Sequence, residues 1–208
     1  MNAVTIVNVG YRSTNYWVVS AGRSRLLVDL GWPGLADDLL HALERADIPF
    51  AEIRYGFATH YHIDHAGAAQ DLKARGMPLI VFEEQVAAIP AMKRHIKPSD
   101  HYTEIVPAGN VVKRCDESRA LLAGIGIAGE VVPTPGHSDD SVSLGLDSGK
   151  CFTGDLTLET MVGEEDARTV HASWARLRAL GARQVYGGHA RPYAMPSPQP
   201  APTEVNHG

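Results

Sequence analysis

Thr59-His60-Tyr61-His62-Ile63-Asp64-His65 puts three imidazoles and one carboxylate into the six positions that begin at His60. Neutral imidazole and carboxylate are the ligands that zinc, iron and manganese use at water-open catalytic sites. If such a cluster were buried for packing alone, each polar nitrogen would need a partner. The run Ile53 to Thr59 leads straight into it, and a strand's period of two predicts His60 and His62 on one side of a strand end. Ala66 to Arg75 reads as a helix that begins near Asp64 and stops at Gly76. Asp64 taken alone is also a good N-cap. Two donors from a strand end and two from the next helix start make a compact cradle for a cation.

Upstream, short β-like runs cover Val4 to Val9, Tyr16 to Ser20 and Arg25 to Asp29. Leu35, Leu39, Leu40 and Leu43 then recur at helical spacing, with Pro33 near the start. Downstream, Leu79 to Phe82, Glu130 to Val132, Val142 to Leu146, Lys150 to Thr153 and Gln184 to Gly187 read as strands. Asp166 to Leu180 reads as a helix with Val170, Trp174 and Leu177 on one face. Pro90 to Pro107 fits either a solvated connection or short helices forming a flap. Residues 1–191 form one domain in this reading, and the Pro- and Ser-rich residues 192–208 a disordered tail.

The 208 residues suit one domain with a sizeable core. A hydrophobic share of 44% and a charged share of 21% are ordinary for a globular chain. The formal net charge of -5 gives no reason to expect nucleic acid or an anionic membrane as partner. Cys115 and Cys151 lack metal-binding spacing and read as two free thiols. The first residues lack a signal-peptide pattern, and no apolar run reaches the ~18 residues of a membrane span. The expectation is a cytoplasmic enzyme acting on a small molecule, with oligomeric state left open.

Three further segments follow the cluster in order: Thr134-Pro135-Gly136-His137-Ser138, Phe152-Thr153-Gly154-Asp155 and Tyr186-Gly187-Gly188-His189. Leu26-Leu27-Val28-Asp29-Leu30-Gly31 precedes it. Together with the HxHxDH pattern of His60 to His65, they resemble the metallo-β-lactamase superfamily over almost the whole chain. The resemblance implies an α/β fold: a four-layer αβ/βα sandwich of two mixed β-sheets with helices on both outer faces. It implies His60, His62 and His137 on one metal, Asp64, His65 and His189 on a second, and Asp155 bridging. The implied cofactors are two divalent ions, zinc first, with iron or manganese as alternatives. Blander roles stand beside these: a turn histidine for His137, an Asx-turn for Asp155. Asp29 reads as a turn or cap residue, or as a support for a ligand histidine. His41, His95, His101 and His171 read as surface or flap residues.

The reaction implied is hydrolysis of an ester-like bond (a thioester, a lactone or a related acyl compound) by a metal-bound hydroxide. Asp64 would be the catalytic residue, orienting the nucleophile and carrying a proton. Ser138 lacks the GxSxG setting of a serine nucleophile. Asp155 stands where some zinc β-lactamases carry Cys. Little follows His189 that resembles the glutathione-holding region of glyoxalase-pathway hydrolases. Leu156-Thr157-Leu158-Glu159 lacks the Tyr that acyl-homoserine lactonases place after the bridging Asp. The alternative is a persulfide dioxygenase with one iron on residues matching His60, His137 and Asp155.

Overall fold

The computed structural model describes residues 4–198. β1 (Thr5–Asn8), β2 (Trp17–Ala21) and β3 (Ser24–Val28) form an antiparallel meander. Helix α1 (Ala36–Arg45) then carries the chain back so that β4 (Ile53–Phe57) pairs parallel to β3. After α2 (Ile63–Ala66) and α3 (Ala69–Ala74), β5 (Ile80–Phe82) follows, then α4 (Ala88–Met92) and β6 (Val111–Lys113). β5 and β6 pair in parallel, and one bridge from Gly56 to Leu79 joins them to the first sheet. Next come α5 (Ser118–Gly124), β7 (Gly129–Pro133), β8 (Val142–Leu146), β9 (Lys150–Gly154), α6 (Glu164–Ala179), β10 (Gln184–Gly187) and β11 (Tyr193–Ala194). The second sheet has the order β11-β10-β9-β8-β7 and is antiparallel except where β10 meets β9.

Alternation along the strands builds the layers, because successive side chains leave opposite faces of a sheet. In β2 and β3, Trp17, Val19, Leu26 and Val28 point to the core between the sheets, while Val18 and Leu27 point to the outer core under the helices. β9 and β10 repeat the rule: Phe152 and Tyr186 face the inter-sheet core, Cys151 and Val185 the layer under α6. Leu39 and Leu43 of α1 and Leu72 of α3 pack on the first sheet, and Val170, Trp174 and Leu177 of α6 on the second. Two mixed sheets face to face with helices outside make the expected four-layer sandwich. Phe57 and Phe82 meet edge to face at 5.7 Å between the sheets, each side chain withdrawn from water for roughly 1.5–3 kcal/mol.

Several local expectations change. The strand before the histidine cluster stops at Phe57, so His60 and His62 lie in the loop beyond its end. His62, not Asp64, occupies the N-cap of the following helix, and that helix divides into α2 and α3 around Gly67-Ala68. Pro90 to Pro107 contains the end of α4 and two 3-10 turns, Lys93–His95 and Pro98–Asp100. Beyond Arg191, Tyr193–Ala194 pair antiparallel with β10, where a disordered tail was expected. Residues 199–208 of that tail lie outside the described residues.

Candidate metal centre

All seven residues singled out as ligands converge at one edge of the sandwich, although they come from four separate stretches of chain. His60, His62, Asp64 and His65 arrive on the loop from β4 into α2, His137 after β7, Asp155 after β9 and His189 after β10. Three overlapping groups have their donor atoms within 4.8 Å of one another: His60, His62, His137; His60, His65, Asp155; and Asp64, His65, His189. Nε2 of His137 lies 3.0 Å from Nδ1 of His62. Oδ2 of Asp155 lies 3.1 Å from Nε2 of His189, 3.4 Å from Nε2 of His65 and 3.7 Å from Nε2 of His137. Asp155 therefore stands between the two outer groups.

Burial grades from floor to mouth: His60 and His65 are buried, His62, Asp64 and Asp155 partly so, His137 and His189 exposed. His60 Nε2, His65 Nε2 and Asp155 Oδ1 are enclosed without a hydrogen-bond partner among the described residues. Each such orphan costs ~1–3 kcal/mol if nothing satisfies it. Enclosed donor atoms with free lone pairs, converging within ligand reach, are what a divalent cation needs, so the residues fit one or two such ions.

A supporting layer orients these side chains. Asp29 Oδ1 accepts hydrogen bonds from the Thr59 backbone N–H at 2.7 Å and its hydroxyl at 2.9 Å, and Asp29 Oδ2 lies 2.9 Å from Nδ1 of His65. Asp29 thus serves the support role rather than direct ligation. His189 Nδ1 donates to the carbonyl of Ser13 at 2.6 Å, which leaves Nε2 for the interior. Thr14 Oγ1 donates to Asp64 Oδ2 at 3.0 Å, and the Tyr16 hydroxyl to the Asp64 carbonyl at 3.0 Å. Asp140 Oδ2 accepts the Tyr61 N–H at 2.7 Å. Ser13, Thr14 and Tyr16 sit far from the ligands in sequence, Asp140 is far from the Tyr61 it holds, and no motif marks them.

Two glycines allow the close approach. A Cβ at Gly188 would lie 2.3 Å from Asp155 Oδ1 and 2.7 Å from His65 Cε1. Gly154 has φ +53°, and a Cβ there would lie 2.2 Å from Thr59 Oγ1.

The electrostatics push the two floor imidazoles in opposite directions. Burial, then the neighbouring imidazoles, holds His60 well below the usual histidine range. Burial pulls His65 the same way, but Asp29 and Asp155 outweigh it and raise His65 well above that range. Burial lowers His137 despite Asp155. Asp155, which burial alone would raise, is held below its ordinary value by His65, His189 and His137. A cavity of about 290 Å³ lined by Tyr61, His62, Ile63, Asp64 and Met92 opens beside the cluster. Met92 ends α4, so the Pro90 to Pro107 segment supplies part of the wall.

Other titratable residues stand apart. Cys115 and Cys151 are free and buried, and neither joins a ligand group among the described residues. His171, expected at the surface, is largely covered and lies 2.9 Å from Glu159 through Nδ1.

The fold and the site define a two-sheet sandwich with candidate metal ligands gathered at one edge, and sequence comparison names the family. The model of the metallo-beta-lactamase superfamily matches residues 9–189, and the chain belongs to that superfamily. It is 26% identical to a Caenorhabditis elegans beta-lactamase-like protein 2 homolog over 180 residues, 86% of this chain and 56% of that protein. It is 28% identical to the thioesterase pkgB of Emericella nidulans over 183 residues, 86% of this chain and 46% of that one. The chain thus spans about half the length of these relatives. Among solved structures, TTHA1623 in a di-iron-bound form superposes with a TM-score of 0.69 at 23% identity, covering 92% of this chain and 94% of that one.

Proposed function

We propose that the chain is a metal-dependent hydrolase that cleaves an ester-like acyl bond, a thioester or a lactone, at a dinuclear centre. His60, His62 and His137 would hold one divalent ion and Asp64, His65 and His189 the other, with Asp155 within reach of both groups. The observation that carries this reading is the pair of outer donor groups meeting across Asp155, with enclosed atoms left unsatisfied on His60, His65 and Asp155. The thioesterase name of one relative supports the substrate class. When bound, divalent ions supply Lewis acidity that acidifies water and polarises a carbonyl oxygen.

The chain's own residues account for the rest. Asp29 and the Ser13 carbonyl hold His65 and His189 with Nε2 turned inward, the outer support that metal-binding histidines need. Asp64, anchored through Oδ2 by the Thr14 hydroxyl, lines the cavity and takes the proton of the attacking water. Tyr61, Ile63 and Met92 line that cavity beside His62 and Asp64 and offer apolar surface to the acyl chain of a substrate.

Elemental analysis of protein purified without added metal, followed by a panel of thioesters, lactones and a chromogenic β-lactam, tests the reading. Two zinc, iron or manganese ions per chain and turnover of a thioester or lactone are expected. His62→Ala and Asp64→Ala should each fold and lose that turnover, and full activity in both would sink the proposal. One iron per chain with oxygen uptake on a persulfide would replace it with the dioxygenase reading.

A further inference from the structure

Beside the metal-site cavity lies a second hollow of about 230 Å³, lined among others by Arg12, Trp32, Ile63, Ser99, Asp100 and His101. Ile63 lines both hollows, so they adjoin. The turn Tyr11-Arg12-Ser13-Thr14 links the second hollow to the cluster: Arg12 lines the hollow, Tyr11 and Thr14 bridge across the turn, the Ser13 carbonyl takes His189 and the Thr14 hydroxyl donates to Asp64. Arg12 is therefore two residues from a side chain that touches the candidate centre, ~7 Å of chain at most.

This turn is held in place. The Tyr11 hydroxyl donates to the Leu35 carbonyl at 3.1 Å and accepts the Trp32 N–H at 3.3 Å, fastening the turn to the next loop. Arg12 itself has φ 57°, and His101 across the hollow has φ 53°. A left-handed backbone at a residue with a side chain costs ~1–2 kcal/mol and persists where surrounding contacts impose it. The Arg12 guanidinium lies 5.5 Å from the Trp32 ring centre, and among the described residues no carboxylate lies within ion-pair distance of it. Trp32 Nε1 is enclosed and also lacks an acceptor. The carboxylate in the hollow, Asp100, accepts the Lys97 N–H at 2.7 Å.

An exposed cation stacked on an aromatic ring, with donors nearby and its own anion missing, suits a planar carboxylate. We propose that Arg12 is the specificity residue of the site, selecting an acyl substrate that carries a carboxylate a few bonds from the scissile carbonyl. This rests on the hydrolase reading for its reaction but not for its binding partner.

The test uses the purified metal-bearing protein and its Arg12→Gln variant in two arms. In the first, succinyl- and butyryl-N-acetylcysteamine thioesters are compared. Arg12→Gln should lower kcat/KM for the succinyl compound about tenfold to a hundredfold more than for the butyryl one, mainly through KM. In the second, ligand-observed NMR compares glutaramate, a stable amide with one carboxylate, with uncharged butyramide. The wild type should prefer glutaramate, and Arg12→Gln should erase the preference. A wild type with no such preference, a preference that survives in Arg12→Gln, or a stronger response to a cationic aminoacyl thioester would each overturn the proposal. If neither a thioester nor a lactone is turned over while glutaramate still binds through Arg12, the hydrolase reading fails and the assignment of Arg12 stands.

Discussion

Asp29 shows how much one side chain governs without touching the centre. It holds a left-handed backbone at φ 66°, accepts both donors of Thr59 and faces Nδ1 of His65. Asparagine tolerates that conformation and keeps the shape, but it removes the charge that fixes the imidazole. Asp29→Asn should weaken metal affinity by about tenfold to a hundredfold, read by chelator competition. Affinity equal to wild type would show that His65 is oriented by packing alone. Gly188 sets a harder limit, because a methyl group there meets Asp155 and His65 inside contact distance. Gly188→Ala should cost the centre its metal by forcing Asp155 aside, seen as a lower metal content in a protein with normal circular dichroism.

At the scale of elements, α6 is tied to the loop that follows the Asp155 strand. Glu159 leaves that loop with only 3% of its side chain exposed, and it meets Arg178 and His171 of α6. Burial would raise the Glu159 carboxyl, yet Arg178 and His171 outweigh it and hold it below its ordinary value. A depressed carboxyl contributes stability above the unfolded glutamate pKa and loses it as pH falls through the lower folded value. Glu159→Gln should therefore destabilise by ~1–3 kcal/mol at neutral pH. The gap from wild type should narrow as the melting experiment moves below about pH 4. A gap that stays constant with pH would mean that Glu159 acts through shape and not through charge.

For the whole molecule, the centre joins segments from both halves of the chain, so a bound cation ties the sheets together at their shared edge. Ligand binding to the folded state alone stabilises by mass action, ~2.7 kcal/mol at a hundredfold excess over Kd. At roughly 2–4 °C per kcal/mol for a chain of this size, metal removal should lower Tm by about 5–10 °C, reversed by adding the ion back. An unchanged Tm after verified removal would separate the centre from the stability of the fold.

Much of this was legible in one dimension. Val142 to Leu146 and Gln184 to Gly187 match their strands to the residue, because short largely apolar runs bounded by turn residues mark buried strands. Val111–Lys113 and Ser118–Gly124 escaped notice, since three and seven residues are too few to show a period. His60, His62, Asp64 and His65 were visible because imidazole and carboxylate at such spacing have few other uses, and the family resemblance added His137, Asp155 and His189. What the tertiary structure decided was their company. Ser13, Thr14, Asp29 and Asp140 orient the cluster through single hydrogen bonds or ion-pair contacts, and Arg12 lies over Trp32 in a turn that Tyr11 fastens to the Trp32 loop. Contacts between residues so distant in sequence leave no local pattern: a single polar side chain looks alike in a turn and beside a metal until the chain is closed around it.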